Sequence, residues 1–139
     1  NVLFKPLFSD SYIDLGNERV DKIYSFIVLQ HIEKCKVLNI LYEFNRLLKV
    51  GGRVLLQFPN LLECKETYKQ CLETKHDLGV MGVRMEFYTQ EELEFLFQFA
   101  HLNIVTIVKQ GSDFYILAEK KQPYDINKVP LAVGTKVII

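Results

Sequence analysis

Few side chains in this sequence could do chemistry, and most of those are uncharged. Gln30 and His31 are adjacent, and imidazole, with an ordinary pKa near ~6.5, is the side chain suited to exchanging a proton near neutrality. Asp10-Ser11 offers a carboxylate that can accept from an amine N–H, with a backbone amide beside it. Gln57, Asn60, Arg84, Glu86 and Tyr88 flank short apolar runs and could orient a bound molecule through hydrogen bonds. Cys35, Cys64 and Cys71 are odd in number and lack C-x-x-C spacing, which argues against a zinc site or a disulfide framework. They read as small buried or half-buried residues of a protein in a reducing cytoplasm. None of the 7 glycines (Gly16, Gly51, Gly52, Gly79, Gly82, Gly111, Gly134) makes a G-x-G turn between a strand and a helix.

The elements that must position these groups alternate in type. Residues 2–4 form a short strand candidate stopped by Pro6, and residues 9–16 read as a loop. Residues 22–29 begin as a strand whose continuous apolarity suits cover on both faces. Val37, Leu38, Leu41, Phe44 and Leu48 recur at helical spacing, with Glu33, Lys34, Glu43, Arg46 and Lys49 largely on the polar side. Gly51-Gly52 is expected to cap that helix before a strand at 53–58, stopped by Pro59. Strand, helix and strand in this order make a βαβ unit, whose crossover is right-handed.

A weaker helix is expected over 61–74 and a loop over 77–86. Thr89-Gln-Glu-Glu92 is a capping box, opening a helix that turns Leu93, Leu96, Phe97 and Ala100 toward a core. Residues 102–108 and 114–118 read as a hairpin around Gly111-Ser112-Asp113. Lys120 to Pro123 would close the domain, leaving an apolar extension over 129–139.

Composition bounds the answer. The chain has 139 residues, 49% of them hydrophobic, with 17 Lys+Arg against 17 Asp+Glu. That is enough apolar surface for a core and excludes disorder. Neutral net charge gives no sign of nucleic acid or membrane as partner. No apolar run approaches the ~20 residues of a membrane span, and no signal peptide is visible at Asn1. A start without Met points to a terminus that is not the gene's own start.

Residues 20–32 (VDKIYSFIVLQHI), followed by residues 46–55 (RLLKVGGRVL), resemble class I S-adenosylmethionine-dependent methyltransferases. The resemblance lies in the Asp-led fourth strand, the "vl.H" segment after it and the "R.LKpGG" turn into the fifth strand. Val50 stands where Pro is common. Tyr88 to Leu93 resembles the "ys.eel" entry to the family's last helix, and residues 109–121 resemble its terminal hairpin. The resemblance covers residues 1–121, read as the C-terminal portion of a methyltransferase domain, with 122–139 as an extension. It implies an α/β, Rossmann-like sheet, mostly parallel, with a C-terminal antiparallel hairpin and its N-terminal strands missing. The family's strand order is 3-2-1-4-5-7-6, with strand seven antiparallel.

The cofactor implied is S-adenosylmethionine, and the methyl acceptor is unspecified. Asp10 and Ser11 would lie near the adenine amine; the alternative is an Asx-turn. Ser25 and Phe26 would end strand four beside the methionine part of the cofactor, with Gln30 next to them; for Phe26 the alternative is a core aromatic. His31 would be a general base near the acceptor or a group that orders the helix start. Gln57, Asn60, Arg84 and Tyr88 would line the acceptor side. His101 stands where the family commonly has Gly, which implies positive φ at some cost or a different turn. No metal is implied.

The family's Gly-rich turn and acidic ribose grip have no counterpart here. The expectation is therefore a piece of a longer enzyme, or a half-domain completed by a partner or by strand exchange at an open sheet edge. Residues 129–139 are one candidate to cover that edge. The alternative function is a non-catalytic, methyltransferase-like interaction module.

Overall fold

A computed structural model of the chain describes residues 13–73, 85–125 and 127. The expectations for residues 2–4 and 129–139, and for Asp10, Ser11 and Arg84, lie outside the described residues. Strand β1 (Val20–Ser25) is followed by a 3-10 turn (Leu29–His31), helix α1 (Lys34–Leu47) and strand β2 (Leu48–Pro59). Helices α2 (Lys65–Glu73) and α3 (Gln90–Phe99) then precede the hairpin of β3 (Asn103–Gln110) and β4 (Asp113–Glu119).

The sheet order is β1-β2-β4-β3. β1 runs parallel to β2, with Ile23 opposite Val54 and Ser25 opposite Leu56. β4 runs antiparallel to both β2 and β3. This is the 4-5-7-6 half of the strand order that the resemblance implies. Among the described residues β1 and β2 form the parallel pairing and the C-terminal hairpin the antiparallel part, with β4 inserted between β2 and β3, a mixed sheet of the kind expected.

Helices α1 and α3 cover one face. Val54, Leu56 and Phe58 of β2 and Phe114, Ile116 and Ala118 of β4 are buried beneath Val37, Leu41 and Phe44 of α1 and Leu93 and Phe97 of α3. Each such side chain contributes about 1.5–3 kcal/mol on burial. The Thr89 capping box forms in both directions, with Glu92 N donating to Thr89 Oγ1 and Thr89 N donating to Glu92 Oε2, both at 3.2 Å.

β1 stops at Ser25, where the fourth strand is expected to end, and Ile27 turns the chain with φ of 60°. Four expectations change. Two-sided cover of β1 is not found among the described residues, since Tyr24 is 75% exposed on the face away from the helices. Gly51-Gly52 is not the helix cap, because the chain is already extended at Leu48. Instead Gly51 adopts φ of 82° inside β2, and a Cβ on Gly52 would sit 2.8 Å from the Lys49 carbonyl oxygen. Cys35 is exposed rather than buried, while Cys64 is half-buried and Cys71 buried. The helix expected over 61–74 is shorter, at Lys65–Glu73.

Glu43 and Arg46 do not lie on a solvated face of α1 either. Both are buried at 8% exposure, and the guanidinium bridges Glu43 Oε1 at 2.6 Å and Oε2 at 2.7 Å. It also donates to the carbonyls of Ile13 and Leu15 and to Asn17 Oδ1, while Ile13 N donates to Glu43 Oε1. The pair thus clasps the segment that leads into β1.

Lys120 is a second buried cation. Its ammonium donates to the Leu48 carbonyl at 2.9 Å and pairs with Glu18 at 3.1 Å. The Tyr124 N–H, followed by Lys120, holds the Glu18 carboxyl below its ordinary pKa.

Two outcomes follow from these buried charges. Arg46→Ala leaves the buried Glu43 carboxylate without its cation and takes the donor from two loop carbonyls, and should cost about 3–5 kcal/mol in urea denaturation; a loss under ~1 kcal/mol would contradict the clasp. The depressed Glu18 pKa means its stabilisation is complete above the ordinary value of 4.5 and is lost as pH falls through the folded value. Thermal midpoints taken between about pH 6 and pH 3 should therefore fall less steeply in Glu18→Gln than in the parent chain.

Candidate functional site

Open α/β sheets present ligands with the carboxyl ends of their parallel strands. Here that edge comprises the turn after Ser25, the 3-10 turn, the end of β2 at Gln57 to Asn60 and the segment from Glu86 to Thr89. Asp113, at the start of antiparallel β4, lies opposite Pro59 at the same edge.

Gln57 ties these pieces together. Its Oε1 accepts from Ile27 N at 2.6 Å, and its Nε2 donates to Asp113 Oδ1 at 2.8 Å and to Gln30 Oε1 at 3.4 Å. Gln57 is 6% exposed, so its amide is spent within the protein. The bond to Ile27 holds a β-branched residue in the left-handed region, a conformation costing about 1–2 kcal/mol for an L-residue. The strain persists because the Gln57 acceptor and the packing of Leu29 and Gln30 over-determine the turn.

Gln30 continues the network. Its backbone carbonyl accepts from Glu86 N at 2.7 Å, bringing the segment before α3 to the end of β1. Its Nε2 lies 3.2 Å from His31 Nε2. An amide N–H can only donate, so this contact assigns the His31 proton to Nδ1. His31 is half-buried at the end of the 3-10 turn, and its N–H donates to the Val28 carbonyl at 3.0 Å.

Ser25 is half-buried at the end of β1. Phe26 is 40% exposed, not a core aromatic, and its ring lies 6.2 Å from both Tyr24 and Tyr115. Ile27 and Val28 beside it are 66% and 51% exposed. This is an uncovered apolar lip at the strand end.

Asn60 and Tyr88 are joined by a parallel bridge. Asn60 Oδ1 accepts from Leu62 N at 3.0 Å, an Asx-turn that stops β2. The Tyr88 ring is fully buried, edge-on to Phe58 at 5.0 Å, with the Lys34 ammonium 4.8 Å from its centroid. Its hydroxyl has no hydrogen-bond partner among the described residues, and burial, followed by Glu86 and Glu92, raises its pKa.

Sequence reasoning pointed to Gln30, His31, Gln57, Asn60 and Tyr88, and the structure brings these to one end of the sheet. It missed Ile27 and Asp113. Positive φ at an Ile has no signature in sequence, and Asp113 read only as a turn residue. Among the described residues no group of His, Cys, Asp and Glu could hold a metal. No described helix is long and apolar enough to cross a membrane.

No family model and no curated protein matches the sequence. Solved structures do resemble the fold. A SAM-dependent methyltransferase from Methanosarcina mazei is 20% identical, with a TM-score of 0.66 over 81% of this chain and 65% of its own. A SAM-dependent methyltransferase from Thermotoga maritima is 18% identical, with a TM-score of 0.62 over 81% and 61%. The Burkholderia thailandensis 1,6-didemethyltoxoflavin-N1-methyltransferase, solved with S-adenosylhomocysteine, is 17% identical, with a TM-score of 0.57 over 78% and 48%. The chain has the class I methyltransferase fold and spans less than two thirds of the length of each of these structures.

Gln57→Leu tests the network. It removes the acceptor for Ile27 N–H and the donor to Asp113, and should cost about 1–3 kcal/mol. Hydrogen exchange should accelerate at the Ile27 amide. Unchanged protection there would show that the turn does not depend on Gln57.

Proposed function

We propose that this chain takes part in S-adenosylmethionine-dependent methyl transfer, supplying the side of the site built on the ends of β1 and β2. The observation that carries the reading is the order β1-β2-β4-β3 with a turn at Ile27 opening the carboxyl end of β1. The solved methyltransferases of the same fold support the cofactor.

The residues present fit one side of that cofactor. The exposed Phe26 ring offers a flat apolar surface, and the backbone from Ser25 to Val28 offers polar groups at the strand end. Asp10 and Ser11 are proposed to reach the adenine. The glycines among the described residues lie elsewhere, at Gly16, Gly51, Gly52 and Gly111, so none of them grips the ribose. That grip is proposed to come from further strands pairing along β1, in the same protein or a partner.

When bound, the cofactor supplies a methyl group already activated by its sulfonium. The protein's own task is then alignment and exclusion of water. Gln57 and Gln30 hold the strand end in one shape. The acceptor is proposed to approach past the end of β2, where Asn60 and Tyr88 are buried behind the edge and shape it rather than touch the acceptor. His31 can take a proton at Nε2 only if its contact with Gln30 opens, so in the closed network it orders the turn.

Titration of the 139-residue chain with S-adenosylhomocysteine, followed by amide resonances, tests this. Shifts should appear at Ser25 to His31 and at Gln57 to Asn60, with millimolar affinity from half a site. Absence of any shift at millimolar ligand would overturn the reading in favour of a non-catalytic module that uses the apolar lip.

A further inference from the structure

At the end of the sheet opposite the lip, a cavity of about 320 Å³ remains without a role. Tyr42 and Asn45 of α1 line it from beneath, the His101 to Asn103 turn forms one wall, and Gln122, Pro123 and Tyr124 form the other. The volume lies at the lower end of the roughly 300–1,000 Å³ typical of small-molecule sites.

The polar groups in it are incompletely answered. Tyr42 is 4% exposed and Asn45 8% exposed. Asn45 Nδ2 donates to the His101 carbonyl at 2.9 Å, which leaves Oδ1 without a partner among the described residues. The Tyr42 hydroxyl has no partner there either. Neither atom is both sealed from solvent and unpartnered, so each stays open to hydrogen bonding from within the cavity. Burial raises the Tyr42 pKa, keeping its hydroxyl a neutral donor.

His101 adds backbone strain at the same place, with φ of 56° held by the Asn45 bond. The charged side chains at the rim, Lys121 and Asp125, offset each other, so the cavity has no excess charge to hold an ion. Tyr124 and Pro123 supply flat apolar surface on the outer wall.

We infer that this cavity binds a neutral, flat, hydrogen-bonding ring of the nucleobase or nucleoside class, separately from the carboxyl-end site. Asn45 Oδ1 accepts from an exocyclic or ring N–H, and the Tyr42 hydroxyl donates to a ring nitrogen. The ring lies against Tyr124 and Pro123.

Adenosine is the probe, titrated into the full 139-residue chain and followed by amide resonances. Shifts should cluster at Tyr42, Asn45, His101 to Asn103 and Gln122 to Tyr124. Tyr42→Phe should weaken binding about tenfold while leaving the thermal midpoint unchanged, because the hydroxyl it removes bonds to no group among the described residues. Gln122→Ala, an exposed change with no folding risk, should also weaken it. Three results would overturn the proposal: no shift at millimolar adenosine, shifts confined to Ser25 to His31, or unaltered affinity in Tyr42→Phe.

Discussion

A guanidinium withdrawn from water must meet oxygen on every side, and in this chain that demand settles where β1 begins. Arg46 is answered by the Glu43 carboxylate, by two carbonyls of the preceding loop and by Asn17. The backbone continues the same contact, with Glu18 N donating to the Arg46 carbonyl and Arg19 N to that of Leu47. The next residue is the first of β1, and it pairs with Leu48. The end of α1 and the start of the parallel strand are therefore one joint. A slip of one residue would move Ile23 from the helix-covered face to the open one and expose the stripe that makes the sheet stable.

What could be read without coordinates was whatever depends on local pattern. The α1 stripe, the Thr89 capping box and the Gly111 hairpin each rest on residues within one or two turns of each other, where spacing determines contact. Arg46 and Glu43 misled for the converse reason. They sit on the polar side of the helix by period, and the loop at residues 13–17 folds over them. Gly51-Gly52 misled in another way. A pair of glycines after a helix suggests a cap, but the requirement met here is the close approach of Gly52 to the Lys49 and Asp21 carbonyls. Of the candidate site, the amide-bearing residues were legible because they bracket strand ends. The Ile27 turn was not, because its conformation is imposed by Gln57, thirty residues away.

The two ends of the sheet are built on opposite terms. At the carboxyl end, Gln57 has both amide atoms engaged and spends them on shape, leaving an apolar lip of Phe26, Ile27 and Val28 facing outward. At the other end, Tyr42 and Asn45 face inward with acceptor and donor capacity left over. The first arrangement suits a surface completed by something that covers it. The second suits a cavity completed by something that enters it.

Charge sharpens that contrast. The two most buried ion pairs of the described chain lie at the other end of the sheet, Arg46 with Glu43 under the entry loop and Lys120 with Glu18 beneath the start of β1, while Lys34 pairs with Glu92 across the first turns of α1 and α3 beside Tyr88. Among the described residues, the end of β1 gathers amides, one imidazole bonded to its neighbour, the Asp113 carboxylate tied to Gln57 and Glu86, whose N–H donates to the Gln30 carbonyl. The proposed methyl transfer would need alignment more than proton transfer, and a network that fixes geometry suits that proposal. Under the same proposal, a base role for His31 would require its contact with Gln30 to open, so shape and proton transfer would draw on the same two side chains.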